Sequence, residues 1–329
     1  RGMTFFLCFA EQVHFCILPE GTHQAKHSLL PLKKGIFRIA LRANDEFGHE
    51  QPIYIVPVGI EYADFYHLWD SLIVNIGKPI NVTEFVKALD VENEAQMIEP
   101  LRKELNARIS ELFTYIPDGP YLKEKGVLTK MLSIASAGRH YGNFGTSLTD
   151  SMKQNRELVA SIESACERHP EEMEKLLKDV AEFDKHRRKD GISIYSFRKH
   201  KDAVAIAGKS LAAILGLPYF IFSALVSLPM WGAEKGVRHI IKDRAFRNTV
   251  SYGMKLGLGI VWFLILTALM FCLTPWYIAL VTLLLFVPSY SYFHDYIEGL
   301  RRFISDIRIA RCKKLKKRFA SILKEFKSL

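Results

Sequence analysis

The stretch "CILPEGTHQAKHSLLPLKKGIFRIAL", residues 16–41, decides the reading of the first quarter of the chain. It turns at Pro19-Glu20-Gly21-Thr22 and gathers Lys26, Lys33 and Lys34 ahead of an amphipathic segment. The run "VHFCIL" (13–18) that leads into the turn is short, apolar and β-branched or aromatic at most positions, so it reads as a buried strand. After the turn, "KKGIFRIALRAN" (33–44) places Ile36, Phe37, Ile39, Ala40 and Leu41 at helical spacing and stops near Asn44. "IYIVPVGI" (53–60) and "LIVNIG" (72–77) are two further apolar runs bounded by Gly, Pro or Asn, and they too read as buried strands. Strand, turn, helix and strand make an α/β unit, one that needs more strands to complete its sheet.

A turn of this composition suits an anion. Gly21 lets backbone N–H groups approach an oxyanion, and Thr22 adds a hydroxyl. His23, Lys26, Lys33 and Lys34 supply positive charge, two of them just ahead of a helix whose N-terminus favours negative groups. On the residues alone this is a candidate phosphate pocket. A plain turn with solvated lysines is the alternative.

The chain has 329 residues, 49% of them hydrophobic, which is enough for a core and more than one module. The net charge of +10 is a property of the C-terminus. From residue 301 onward there are 11 Lys/Arg against 2 Asp/Glu, while the first 300 residues hold 34 against 33. A globally basic, nucleic-acid-binding surface is therefore not supported. Cys8, Cys16, Cys166, Cys272 and Cys312 form no C-x-x-C, which argues against a metal or redox motif and for reduced, mostly buried thiols. His14, His49, His67, His140, His186, His200 and His239 show no ligand spacing, and no metal site is expected. The Gly-rich segment 137–147 lacks the strand-then-helix context of a nucleotide fingerprint and reads as a loop.

Three regions follow. Residues 1–83 are the α/β part. Residues 84–209 are charged and helical. There Met97, Ile98, Leu101, Leu105, Ile109 and Leu112 make one stripe, and a helix from Pro170 toward Gly191 carries Met173, Leu176, Leu177, Val180 and Phe183 as another. Residues 210–329 belong to a membrane. "LGLGIVWFLILTALMFCLT" (256–274) and "WYIALVTLLLFVPSYSYF" (276–293) carry no charge and are each long enough to cross a ~30 Å hydrocarbon layer as a hairpin. Cationic flanks at Lys255 and Arg301 place both ends on the cytoplasmic side. The run 211–233, interrupted by Pro218 and Pro229, could span or could lie as an interfacial or re-entrant element, and the interfacial or re-entrant form is expected. The tail (301–329) sets Ile304, Ile307, Leu315, Phe319, Ile322, Phe326 and Leu329 on one face among lysines, the pattern of a helix on an anionic lipid surface. A helix packed on the protein's own helices is the alternative.

"ILPEGTHQAKHSLLPLKKGIFRIAL" followed by "PIYIVPVGI" resembles the glycerolipid acyltransferase family, the PlsC-type glycerol-3-phosphate and 1-acylglycerol-3-phosphate acyltransferases. The shared features are a Pro-Glu-Gly-Thr block, a Lys-Gly-containing helix and an apolar strand with a Val-Pro-Val core, covering residues 13 to about 83. The resemblance implies that Glu20, Gly21 and Thr22, with His23, Lys26 and Lys33, bind a glycerol-phosphate acceptor. It implies that Val56, Pro57 and Val58 shape the acyl-donor side, the donor being acyl-CoA or acyl-ACP and no other cofactor being needed. Family members often carry Arg where His23 stands. Glu20 repels a phosphate, so it is expected to orient acceptor hydroxyls or pin a cation. The family's chemistry is done by a His and an Asp separated by four residues, ahead of this block. No His in the sequence has Asp five positions later. The chain is therefore expected to be the C-terminal portion of an acyltransferase of phospholipid biosynthesis, inactive alone. The alternative is a non-catalytic membrane-anchored scaffold. A channel is disfavoured because 256–293 holds no ionisable residue.

Overall fold

The computed structural model describes residues 14–22, 26–62, 72–89, 91, 93–136, 148–198, 203–241 and 244–329. They divide into two compact units, Arg1–Val180 and Ala181–Ser328.

In the first unit, helix α1 (Lys34–Phe47) forms where the apolar spacing places it, one turn longer than expected. Its inward stripe of Phe37, Ala40, Leu41 and Ala43 meets Ile53, Ile55, Ile80 and Val82, together with Ile98, Leu101, Leu105 and Ile109 of helix α3 (Glu94–Ser110). Asn93 starts α3 by accepting from the Ala95 N–H at 2.9 Å, a side-chain cap of the kind that satisfies an otherwise orphaned donor. Helix α2 (Val82–Leu89) lies between α1 and α3 in sequence, and helices α4 (Leu122–Ser136) and α5 (Leu148–Arg168) pack on each other.

The strands depart from expectation. Residues 14–18 belong to neither sheet, and Leu18 is 79% exposed, so the expected buried strand at 13–18 is not formed in its described part. The run 53–60 is divided into β1 (Tyr54–Ile55) and β2 (Val58–Tyr62), because Pro57 has no N–H to give a ladder. Each half finds its own antiparallel partner: β4 (Ile80–Asn81) for β1, and β3 (Leu72–Ile76) for β2. The result is two short antiparallel sheets beside helices, only partly the α/β arrangement expected. Nor are these strands buried on both faces. Ile53, Ile55, Pro57, Gly59 and Glu61 point inward, while Tyr54, Val56, Val58, Ile60 and Tyr62 alternate outward, as the two-residue period of a one-sided sheet requires.

Gly59 permits the tightest approach in this unit. A Cβ there would lie 2.4 Å from the Leu112 Cβ and 3.0 Å from the Leu112 carbonyl carbon, so the segment after α3 is seated directly on β2. Asn75 secures it by donating to the Leu112 carbonyl at 2.7 Å.

Helix α6 (Pro170–Lys189) begins and ends as its Pro and Gly signals dictate, and Met173, Leu176, Leu177, Val180 and Phe183 are all buried. Segment 137–147 lies outside the described residues. In the second unit, a 3-10 turn (Ile194–Phe197) precedes α7 (Ala203–Ile240), α8 (Arg244–Leu273), α9 (Trp276–Arg311) and α10 (Lys313–Lys327). Helix α7 runs unbroken through Pro218 and Pro229, which corrects the expected interfacial break. Among the described residues Ile206–Val237 and Tyr252–Leu273 are long and apolar enough to cross a membrane, and α9 is bent by 50° near Ser289. The second arm of the expected hairpin is therefore a bent element, with Pro288 at its bend.

The tail is also corrected. It is two helices interrupted at Cys312, and Leu315, Phe319 and Ile322 are buried in protein. Phe319 stacks on Phe197 at 4.7 Å between ring centroids and tilts against Phe183 at 5.9 Å. The four described cysteines are free thiols, but Cys16 and Cys272 are exposed and Cys166 and Cys312 half-buried, so the expected burial does not hold for them, and Cys8 lies outside the described residues.

The close seat at Gly59 gives a test. Gly59→Ala should lower stability by about 1–3 kcal/mol, because backbone must shift to admit the methyl group. Gly35→Ala, with nothing within 4 Å of the added carbon, should raise it by up to about 1 kcal/mol. Thermal unfolding of the detergent-purified chain reads both.

Candidate functional site

The loop from Leu18 to Lys33 is held by its own backbone. The Gly21 N–H donates to the Leu18 carbonyl at 3.2 Å, closing a four-residue turn with Pro19 pre-setting its second position. The Lys33 N–H donates to the Pro19 carbonyl at 2.8 Å and ties the two ends of the loop together. Between them the Leu30 N–H donates to Glu20 Oε2 at 3.1 Å. Glu20 thus holds the loop that carries it, through an ionised acceptor that makes a stronger bond than a neutral one.

Gly21 has φ +68°, the left-handed region that favours glycine, and a Cβ there would meet the Lys33 Cγ at 3.3 Å. The aliphatic stem of Lys33 covers this glycine, while Gly21, Thr22 and Lys33 remain exposed. Lys33 is also the cap residue of α1. It gives no side-chain cap to the helix, and no acid occupies the first turn. The first-turn N–H groups and their partial positive charge are therefore uncompensated by side chains and face the neighbourhood of Gly21 and Lys33.

The structure brings Glu20, Gly21, Thr22 and Lys33 into one loop. Lys26 is turned elsewhere and pairs with Asp118 at 3.4 Å. His23 lies outside the described residues. Of the residues expected on the donor side, Pro57 is buried, and Val56 and Val58 face outward at 51% and 44% exposure, beside Ile60, Val74 and Ile76 on an apolar sheet face. Among the described residues no group of three or more His, Cys, Asp or Glu is placed to hold a metal.

Behind the loop lies a cluster that the sequence reading missed. Glu61, at an inward position of β2, is 6% exposed and accepts from the Thr114 N–H at 2.7 Å. The Ile116 N–H donates to the His27 carbonyl at 2.5 Å, and the His27 ring bonds to the Thr114 backbone. Burial holds the His27 imidazole below its ordinary range, opposed by the facing Glu61 carboxylate and reinforced by Lys130. A carboxylate at an inward register position of "VGIEY" was the available signal for Glu61. Nothing in the spacing distinguished His27.

The Acyltransferase family model matches residues 7–61, a span that contains the loop, α1, β1 and all of β2 but its last residue. The match supports an acyltransferase family and acyl transfer in general. No curated protein and no solved structure matches the chain.

The depressed imidazole gives a pH dependence of known sign. The unfolded chain binds a proton at the ordinary value of 6.5 and the folded chain only at lower pH, so between the two the unfolded state holds more protons. Stability from this group is full above the ordinary value and falls as pH falls toward the folded one. The unfolding midpoint of the wild-type chain should drop more steeply below about pH 6.5 than that of His27→Gln, which has no proton to gain.

Proposed function

We propose that this chain carries the acceptor loop and donor-side strand of an enzyme that moves an acyl group from a thioester to glycerol-3-phosphate or its 1-acyl form. The observation that carries the reading is the family match over residues 7–61, which includes the Glu20-Gly21-Thr22 turn. In support, the turn leaves Gly21 and Thr22 exposed beside Lys33 and an uncapped helix start, a setting that favours a dianionic phosphate monoester. The acceptor phosphate sits at the Gly21 and Thr22 backbone with Lys33 as counter-charge. Glu20 keeps the loop in register through Leu30. The acyl chain of the donor, acyl-CoA or acyl-ACP, lies toward Val56 and Val58.

In the reaction an acceptor hydroxyl oxygen attacks the thioester carbonyl. The carbon–sulfur bond breaks, the thiol leaves, and the hydroxyl proton passes to a base. The His-x4-Asp pair that supplies the base in the resembling family has no match in this sequence, so the chain alone binds acceptor and does not turn over. That same gap favours the second reading, a membrane-anchored scaffold without catalysis. The apolar helices of the second unit hold the protein in a bilayer, with the acceptor loop and C-terminus on the cytoplasmic face.

Titration calorimetry of the detergent-solubilised chain with glycerol-3-phosphate tests the acceptor role. Weak binding is expected. Glu20→Ala should reduce it by about tenfold through loss of the Leu30 bond, while Glu20→Gln, whose amide oxygen still accepts, should retain most of it. No heat from the wild type, or unaltered binding by Glu20→Ala, would remove the acceptor site and leave the scaffold reading.

A further inference from the structure

Helix α10 (Lys313–Lys327) carries seven cations and one carboxylate in 15 residues. Its apolar stripe is already occupied: Leu315, Phe319 and Ile322 are buried, and Phe319 is stacked on Phe197 and tilted against Phe183. Arg318 is also used within the protein, pairing with Glu182 at 2.6 Å. What faces outward is Lys313, Lys314, Lys316, Lys317, Lys324 and Lys327, all exposed, none of them in an ion pair among the described residues.

This arrangement is unfavourable for the helix itself. Lys313 stands three and four residues from Lys316 and Lys317, and Lys314 stands three from Lys317, spacings at which like charges repel. Three of these lysines crowd the positive end of the helix dipole, where no acid is present in the first turn and Cys312 gives no side-chain cap. A merely soluble surface would mix signs. The repulsion is relieved only by a partner that brings many negative charges to one face.

The same unit supplies that partner's location. It contains the helices long and apolar enough to cross a membrane, and α9 runs on to Arg311, two residues before α10 begins. We propose that the outward face of α10 docks on the headgroups of anionic phospholipids, by charge alone and without inserting apolar side chains. The sealed stripe makes this binding reversible by salt, in contrast to an amphipathic helix that lies with its apolar face in the bilayer. The inference is independent of the acyl-transfer reading.

The full chain in nanodiscs of phosphatidylcholine, with or without about one-third phosphatidylglycerol, tests it by the rate of lysine acetylation read by mass spectrometry. Lys313, Lys314, Lys316 and Lys317 should label about fivefold more slowly in anionic discs, with the difference lost in about 1 M salt, where the screening length falls to ~3 Å. Replacing these four by Gln should leave the unfolding midpoint within a few degrees and remove the enrichment of phosphatidylglycerol that co-purifies with the wild type. Equal labelling in both discs would overturn the proposal. So would protection that survives high salt, which would mean that the stripe leaves Phe197 for hydrocarbon. Protection by added RNA but not by anionic lipid would replace the partner.

Discussion

A carboxylate cannot stay out of water without donors, and the first unit is built around one that has found them. Glu61 points inward from β2 and takes the Thr114 N–H, with the His27 ring facing it. The segment carrying Thr114 is fixed from both sides, by Leu112 against Gly59 and by the Ile116 bond to the His27 carbonyl. The loop that bears Glu20, Gly21 and Thr22 is thereby indexed to the strand that bears Val56 and Val58. Losing the Thr114 N–H bond would leave a buried carboxylate short of a donor, a more serious loss than that of an exposed hydrogen bond. The candidate site is a surface feature resting on an internal polar contact.

The parts legible in the sequence were those governed by local rules. Helices α1, α3 and α6 follow from apolar spacing, an Asn cap, a leading Pro and a terminal Gly, each an effect within one or two turns. The turn at Gly21 was legible for the same reason. Pairing was not. Residues 53–60 had the composition of a doubly buried strand, and only the inward Glu61 and the donor-less Pro57 marked it as one-sided and divided. His27 acquires its character from burial and then from the opposed charges of Glu61 and Lys130, 34 and 103 positions away, a distance no local pattern spans.

The second unit shows why prolines mislead when helices are read singly. Pro218 and Pro229 lack the N–H that a helix in hydrocarbon would otherwise use, which suggests a break. Aromatic neighbours add hydrogen bonds beside the prolines. Trp262 Nε1 donates to the Val226 carbonyl at 3.0 Å, three residues before Pro229. Tyr292 and Tyr296 donate to the carbonyls of Gly216 and Ala213 at 3.0 and 2.7 Å, just ahead of Pro218. Tyr219 donates to the Leu285 carbonyl, three residues before Pro288, at 2.9 Å. None of these is the carbonyl that a proline frees four residues back, at Ile214, Leu225 and Leu284. They tie α7 to α8 and α9 where its own ladder is weakened.

The tail poses the same problem in reverse. Its stripe and its lysines fit a bilayer or a protein surface equally well, because both offer an apolar plane. The arbiter is Phe183, on α6, and Phe197, which together present an aromatic shelf of the right width for Phe319. Once the shelf is occupied, the apolar face has no further work outside the protein, and only the cations remain to be explained. Their concentration on one uncapped helix, in a chain otherwise close to electroneutral, is a cost that the fold does not offset internally. A surface of phosphate headgroups is the polyanion that a helix in the same unit as segments apolar enough to cross a membrane would meet.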